Sequence, residues 1–197
     1  MELLLSRGGN VDITTPAGLT PLHFAARFKI AENDVGDGGD GGDDGDDVDP
    51  AIALLVREGA DLNLKDKYGL TPLHYACMRG NTTATDQLSR YPATLLDLGD
   101  EQDVSPLSLA CVYGHTESVR LLLSVGADVW RTDDKKQSSL HKACTLSSSE
   151  IVRLLIKSVE DKHGDQAVLR FLDMEDSEKN SPLMISIESG NFASAKV

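Results

Sequence analysis

Five segments of the chain share one pattern in register: TPLHFAA from Thr20, TPLHYAC from Thr71, SPLSLAC from Ser105, SSLHKAC from Ser138 and SPLMISI from Ser181. Their starts lie 51, 34, 33 and 43 residues apart. A unit that recurs about every 33 residues is too small to bury its apolar face alone, so it stacks on its neighbours into a one-dimensional array. The two longer spacings exceed that period by about 18 and about 10 residues, which calls for an insertion in each.

Every part of the pattern has a physical role. Thr or Ser followed by Pro starts a helix, because the hydroxyl caps free N–H groups and Pro sits where its missing donor costs nothing. Leu22, Leu73, Leu107, Leu140 and Leu183 begin a buried face. Ala25 and Ala26, Ala76 and Cys77, Ala110 and Cys111, and Ala143 and Cys144 follow, small enough for helices to approach closely. Gly80, Gly114 and Gly190 mark a turn. A second helix then carries larger aliphatics, as in Val119 to Leu123 and Ile151 to Ile156. Gly59 and Gly126 end that helix in the left-handed conformation. An extended exit with turns at Gly18 and Gly69 leads to the next start.

The TPLH-A(A/C) and Gly-Ala-Asp-apolar elements, recurring together, resemble the ankyrin repeat family over nearly the whole chain. The resemblance implies an all-α fold, an ankyrin-repeat α-solenoid of helix-turn-helix repeats with β-hairpin-like fingers. The expected organisation is the end of a repeat over 1–19 and full repeats over 20–70, 71–104, 105–137 and 138–180. Part of another repeat follows over 181–197. MELLLSRGGNVD reads as a second helix and exit, and NSPLMISIESGNFASAKV as a repeat that stops inside its second helix. Neither end reads as a polar cap, which suggests a fragment of a longer array. The departures are local. The repeat from Thr71 reads RYPATLLDLGDEQ at its exit, the one from Ser138 lacks Pro, and Ser108 and Met184 stand where the others have His.

The first insertion is the run 34–49, DVGDGGDGGDDGDDVD, with eight aspartates and no basic residue. Taking those charges out of the net −13 leaves −5, so the acidity is mostly local. The run has almost no apolar residue, and it is expected to be a disordered acidic loop. It lacks the hydrophobic anchor of the RTX calcium repeat and the closing Glu of an EF-hand loop. The second insertion, 158–171, SVEDKHGDQAVLRF, reads as an ordered helical extension turning at Gly164.

Composition excludes several function classes. No basic stripe is present for nucleic acid. No apolar run reaches the length of a membrane span, and the start is too short and polar for a signal peptide. Three widely spaced cysteines without a CxxC pair argue against a disulfide scaffold and fit a reducing, cytoplasmic setting. No GxSxG, P-loop, HExxH or GxGxxG pattern occurs, so neither an enzyme nor a cofactor site is expected.

His23, His74 and His141 share one slot, one per repeat, and are expected to bond within their own turns and not to a metal. Cys77, Cys111 and Cys144 share another; they read as small buried groups, with reactive thiols as the alternative. Partner binding is expected on the concave face of finger tips and first helices. Trp130, Tyr68, Lys67 and Lys135 are its candidate residues, Trp130 either as an exposed anchor or packed on a neighbouring finger.

Four phrases are also similar to the ankyrin-type transient receptor potential (TRPA) cation channels: VDITTPAGLTPLHFAAR, DKYGLTPLHYACMRGN, SPLSLACVYGHTESVRLLL and VLRFLDMEDSEKNSPLMISIESGN. That resemblance, nearest to invertebrate members, implies the cytosolic array of a homotetrameric, nonselective, calcium-permeable channel sensing chemicals or temperature, on the cytoplasmic side of the plasma membrane. The alternative is a soluble cytoplasmic scaffold or adaptor.

Overall fold

The inner segments are short, and helices of this length are marginal in isolation, so capping and packing must hold them. A computed structural model describes residues 4, 7–28, 48–146 and 149–191. Its helices in chain order are α1 (Pro21–Arg27), α2 (Pro50–Arg57), α3 (Pro72–Arg79), α4 (Thr82–Arg90), α5 (Pro106–Val112), α6 (Thr116–Ser124), α7 (Ser139–Cys144), α8 (Ser149–His163), α9 (Asp165–Leu172) and α10 (Pro182–Glu188). Thr20, Thr71, Ser105 and Ser181 cap the helices that follow, each accepting from the backbone N–H three residues on. Asp49 caps α2 by accepting from Ala51 at 2.8 Å and Ile52 at 3.2 Å.

The helices form two rows. In the inner row α1 packs on α3, α3 on α5, α5 on α7 and α7 on α10; in the outer row α2 meets α4, α4 meets α6 and α6 meets α8. Between the rows runs one continuous core. Leu22, Leu73, Leu107 and Leu140 fill it from the inner side, and Ile52, Leu55, Leu88, Val119, Leu122, Ile151 and Leu155 from the outer side, all buried. Each such aliphatic stabilises the fold by roughly 1.5–3 kcal/mol. This is the all-helical array of stacked helix pairs that the repeats predict.

The fingers differ from the hairpin expectation. Among the described residues there is no strand, only one isolated bridge between Thr132 and Ser138. The reason is a same-slot side chain five residues before each cap, Thr15 before Thr20 and an aspartate before the other four. Asp66 Oδ1 accepts from the N–H groups of Tyr68 and Leu70, Asp100 from Gln102 and Val104, Asp133 from Lys135 and Gln137, and Asp176 from Glu178 and Asn180. The carboxylate takes the donors that a partner strand would have used, and the finger closes as a tight turn. One backbone bond then ties each finger to the previous one: Lys67 N–H to Ala17 O (2.9 Å), Glu101 to Tyr68 (3.2 Å), Asp134 to Gln102 (3.0 Å) and Ser177 to Lys135 (2.8 Å).

Residues 34–47 of the acidic run lie outside the described residues; of the run, Val48 and Asp49 are described. In the second insertion, α8 runs 15 residues where α6 has 9. Gly164, with φ 78°, reverses the chain into α9, which packs back on α8. Phe171 of α9 is fully buried.

Candidate functional site

The histidine slot is a joint between repeats. Nδ1 of His23, His74 and His141 accepts from the N–H of its cap residue at 3.1 Å in each case and lies 2.8 Å from the cap hydroxyl. That leaves Nε2 protonated, and it donates to the carbonyl just before the cap of the next repeat: Leu70 at 3.0 Å, Val104 at 3.1 Å and Asn180 at 3.3 Å. Burial pushes the His74 imidazole down to about 4 and lowers His23 and His141 as well. Ser108 occupies the slot in the third repeat and bonds only within its own turn, accepting from Ser105 Oγ at 3.2 Å. A second set of joints points the other way. Asn81 Nδ2 donates to Ala26 O and Phe28 O at 3.2 Å each, His115 Nε2 lies 3.2 Å from Met78 O, and Asn191 Nδ2 reaches Cys144 O and Thr145 O.

The expected partner face is built from the fingers and the inner helices, where the fourth residue after each cap stands inside the helix and the eighth at its last residue or just beyond it. Tyr75, in the fourth position, faces its finger and donates its hydroxyl to Asp66 Oδ2 at 2.8 Å. Burial, reinforced by that carboxylate, pushes the Tyr75 hydroxyl up to about 12. Lys142 in the same slot pairs with Asp133 Oδ2. The ring of Tyr75 also meets His23 edge-on at 5.7 Å. Along this face Phe24 is 39% exposed, Phe28 59% and Tyr113 51%.

The candidate residues do not form one cluster. Tyr68 is 54% exposed at a finger tip, with Lys67 Nζ 4.7 Å above its ring. Lys135 is exposed two fingers further on. Trp130 is set apart from them. Its ring is half-buried and packs edge-on against Phe171 at 5.1 Å and His163 at 6.0 Å, so the second insertion covers it. Of the two readings of Trp130, the contacts match packing, against rings that α8 and α9 supply and not against a neighbouring finger. The reactive-thiol alternative is corrected. Cys77, Cys111 and Cys144 are all buried, and burial pushes Cys77 up to about 12, Cys144 up to about 11 and Cys111 upward as well, away from the thiolate that reactivity needs. The finger aspartates and the aromatic side of the inner helices went unread in the sequence. Both were detectable by extending the slot comparison five residues before the cap and eight beyond it.

Among the described residues no group of His, Cys, Asp and Glu has the geometry to hold a metal ion, and no helix is long and apolar enough to cross a membrane. Residues 45–133 match the family described as Ankyrin repeats (3 copies). The chain is similar to the Neurogenic locus notch homolog protein 1 of Xenopus tropicalis, 29% identical over 88% of this chain and 6% of that protein. It is similar to the Transient receptor potential cation channel subfamily A member 1 homolog of Caenorhabditis elegans, 31% identical over 43% of this chain and 7% of that protein. The human SH3 and multiple ankyrin repeat domains protein 2 is 26% identical over 100% of this chain and 9% of that protein. The chain thus spans less than a tenth of the length of each of these relatives.

Proposed function

We propose that this chain, an array of ankyrin repeats, is a protein-interaction segment that docks another polypeptide on its concave face. The observation that carries the reading is the exposure of four aromatic rings, Phe24, Phe28, Tyr68 and Tyr113, along the inner helices and their fingers. Solvated rings are retained at cost unless a partner covers them, and aromatic residues are enriched where partners bind. The test is a selection of random displayed peptides on the chain, carrying a photocrosslinker either at Phe28 on the concave side or at Arg153 on α8. Crosslinking from Phe28 and not from Arg153 supports the reading; the reverse would sink it.

A finer reading is favoured by a separate observation. The four phrases similar to TRPA channels, together with the partial likeness to the nematode homolog, support the cytosolic array of a TRPA-type cation channel subunit. In that setting the docked polypeptide is another part of the same channel, the array lies on the cytoplasmic side of the plasma membrane, and the assembly is a homotetramer. The competing assignment is a soluble adaptor, and the comparably weak likeness to the notch homolog over most of the chain keeps it in play. Sequencing the full transcript decides between them. Further repeats followed by six apolar spans of about 20 residues support the channel, and a reading frame without such spans excludes it.

A further inference from the structure

Phe24 and Phe28, Tyr75 and Arg79, and Leu109 and Tyr113 are equivalent pairs four residues apart, the first of each on an inner helix and the second at its C-terminal end. Stacking of α1 on α3 and α3 on α5 sets these pairs side by side. The turn joints fix the register, since Asn81 holds the carbonyl of Phe28 and His115 that of Met78, while the Tyr113 ring stacks on His115 at 6.4 Å. The result is a patch of four rings, Phe24, Phe28, Tyr75 and Tyr113, with two guanidinium groups, Arg27 and Arg79, among them.

The charge of this patch runs against the charge of the chain. The chain carries −13, yet α1, α3, α5 and α7 contain no Asp or Glu, and the finger carboxylate that meets the patch, Asp66, is buried and already engaged by the Tyr75 hydroxyl and two backbone N–H groups. Arg27 lies 5.7 Å from the centroid of the Phe28 ring, and Arg79 is exposed and makes no ion pair among the described residues. Lys142, further along the row, is already paired with Asp133 and is not available. Screening confines charge recognition to roughly 10 Å, so a ligand on this face responds to the local groups, of which the two arginines are cations without a carboxylate partner among the described residues, and not to the chain average. A carboxylate is the group that a guanidinium binds with two parallel bonds, and the rings around it lower the local dielectric and strengthen the pair.

Resting on the docking reading above, we propose that the partner segment is an acidic peptide with apolar anchors: carboxylates engage Arg27 and Arg79, while aliphatic or aromatic side chains cover Phe24, Phe28, Tyr75 and Tyr113. Charge complementarity selects this occupant over a basic or a purely apolar one.

The composition of the peptides enriched in the displayed-peptide selection tests this, together with fluorescence anisotropy of one enriched peptide and its Glu/Asp-to-Lys counterpart. The expected result is enrichment of Asp and Glu interleaved with Leu, Phe or Trp, no binding of the Lys counterpart, and weakening at higher salt. Arg79→Glu is expected to lower affinity by about tenfold or more, while Arg79→Lys retains most of it. Both variants keep the wild-type melt, because Arg79 is exposed. Enriched peptides that crosslink from Phe28 but are basic or uncharged overturn the acidic-partner proposal and leave the docking reading standing. Equal effects of Arg79→Glu and Arg79→Lys overturn it as well. Peptides that crosslink only from Arg153 overturn both.

Discussion

His74 Nε2 lies 3.1 Å from the carbonyl oxygen of Val104, 30 residues further along the chain, while Nδ1 of the same ring accepts from the Thr71 N–H. One imidazole thus closes the cap of its own helix and fastens the chain just before the cap of the next. Replacing it with Ala strands a buried cap donor, and His74→Ala is expected to lower the unfolding free energy by about 2–3 kcal/mol in a urea titration. Ser108→Ala, which removes no bond to a neighbouring repeat, is expected to cost less than about 1 kcal/mol. Equal losses for the two would contradict the joint.

The same rings set a dependence on pH. His74 titrates at about 4 in the folded chain and His23 and His141 are also lowered, whereas an unfolded histidine titrates near 6.5. Between those values the unfolded chain holds the additional proton, so stability rises with pH through this window. The contribution is complete above about pH 6.5 and erodes as pH falls toward about 4, with His74 alone accounting for about 3 kcal/mol. Denaturation midpoints taken from about pH 7.5 down to about pH 5 should fall, and less steeply in His74→Gln. A midpoint that stays flat over that range rejects the account.

Lys136 sits at φ 58° in the finger slot where the first two repeats have Gly18 and Gly69. A side chain there crowds its own carbonyl, so Lys136→Gly is expected to stabilise the chain by about 1 kcal/mol. Gly69→Ala is expected to do the opposite and by more. Its φ is 76°, and a Cβ would come within 2.7 Å of the Glu101 nitrogen on the adjoining finger. Thermal melts of the two variants read the contrast directly.

Phe171 anchors α9 under Trp130, the chain's one tryptophan. Phe171→Ala is expected to cost about 3 kcal/mol and to shift tryptophan emission to the red as water reaches the indole. Unchanged emission would mean that the α9 packing does not form in solution.

Much of the fold was legible because the array repeats its own evidence. The caps at Thr20, Thr71, Ser105 and Ser181, the buried Leu22, Leu73, Leu107 and Leu140 and the turn at Gly164 all follow from local spacing and residue type, whereas Leu183, expected on the buried face, is 53% exposed. The finger aspartates were harder to read. Asp66 and Asp100 look like ordinary turn residues until their side chains are seen to take two backbone donors each. The place of Trp130 was hidden for a different reason: its cover comes from Phe171, 41 residues later and inside an insertion that the repeat pattern does not describe. The aromatic side of the inner helices is read only after the stacking order is known, since no single repeat contains more than a pair of its rings.

Ser108 breaks the series of histidine joints once. The seam it leaves, between the repeats that begin at Ser105 and Ser138, has no imidazole to be charged. Acid therefore works on the three seams made by His23, His74 and His141 and passes over this one. Of the four seams between successive caps, this is the one that falling pH leaves without an imidazole bond to lose.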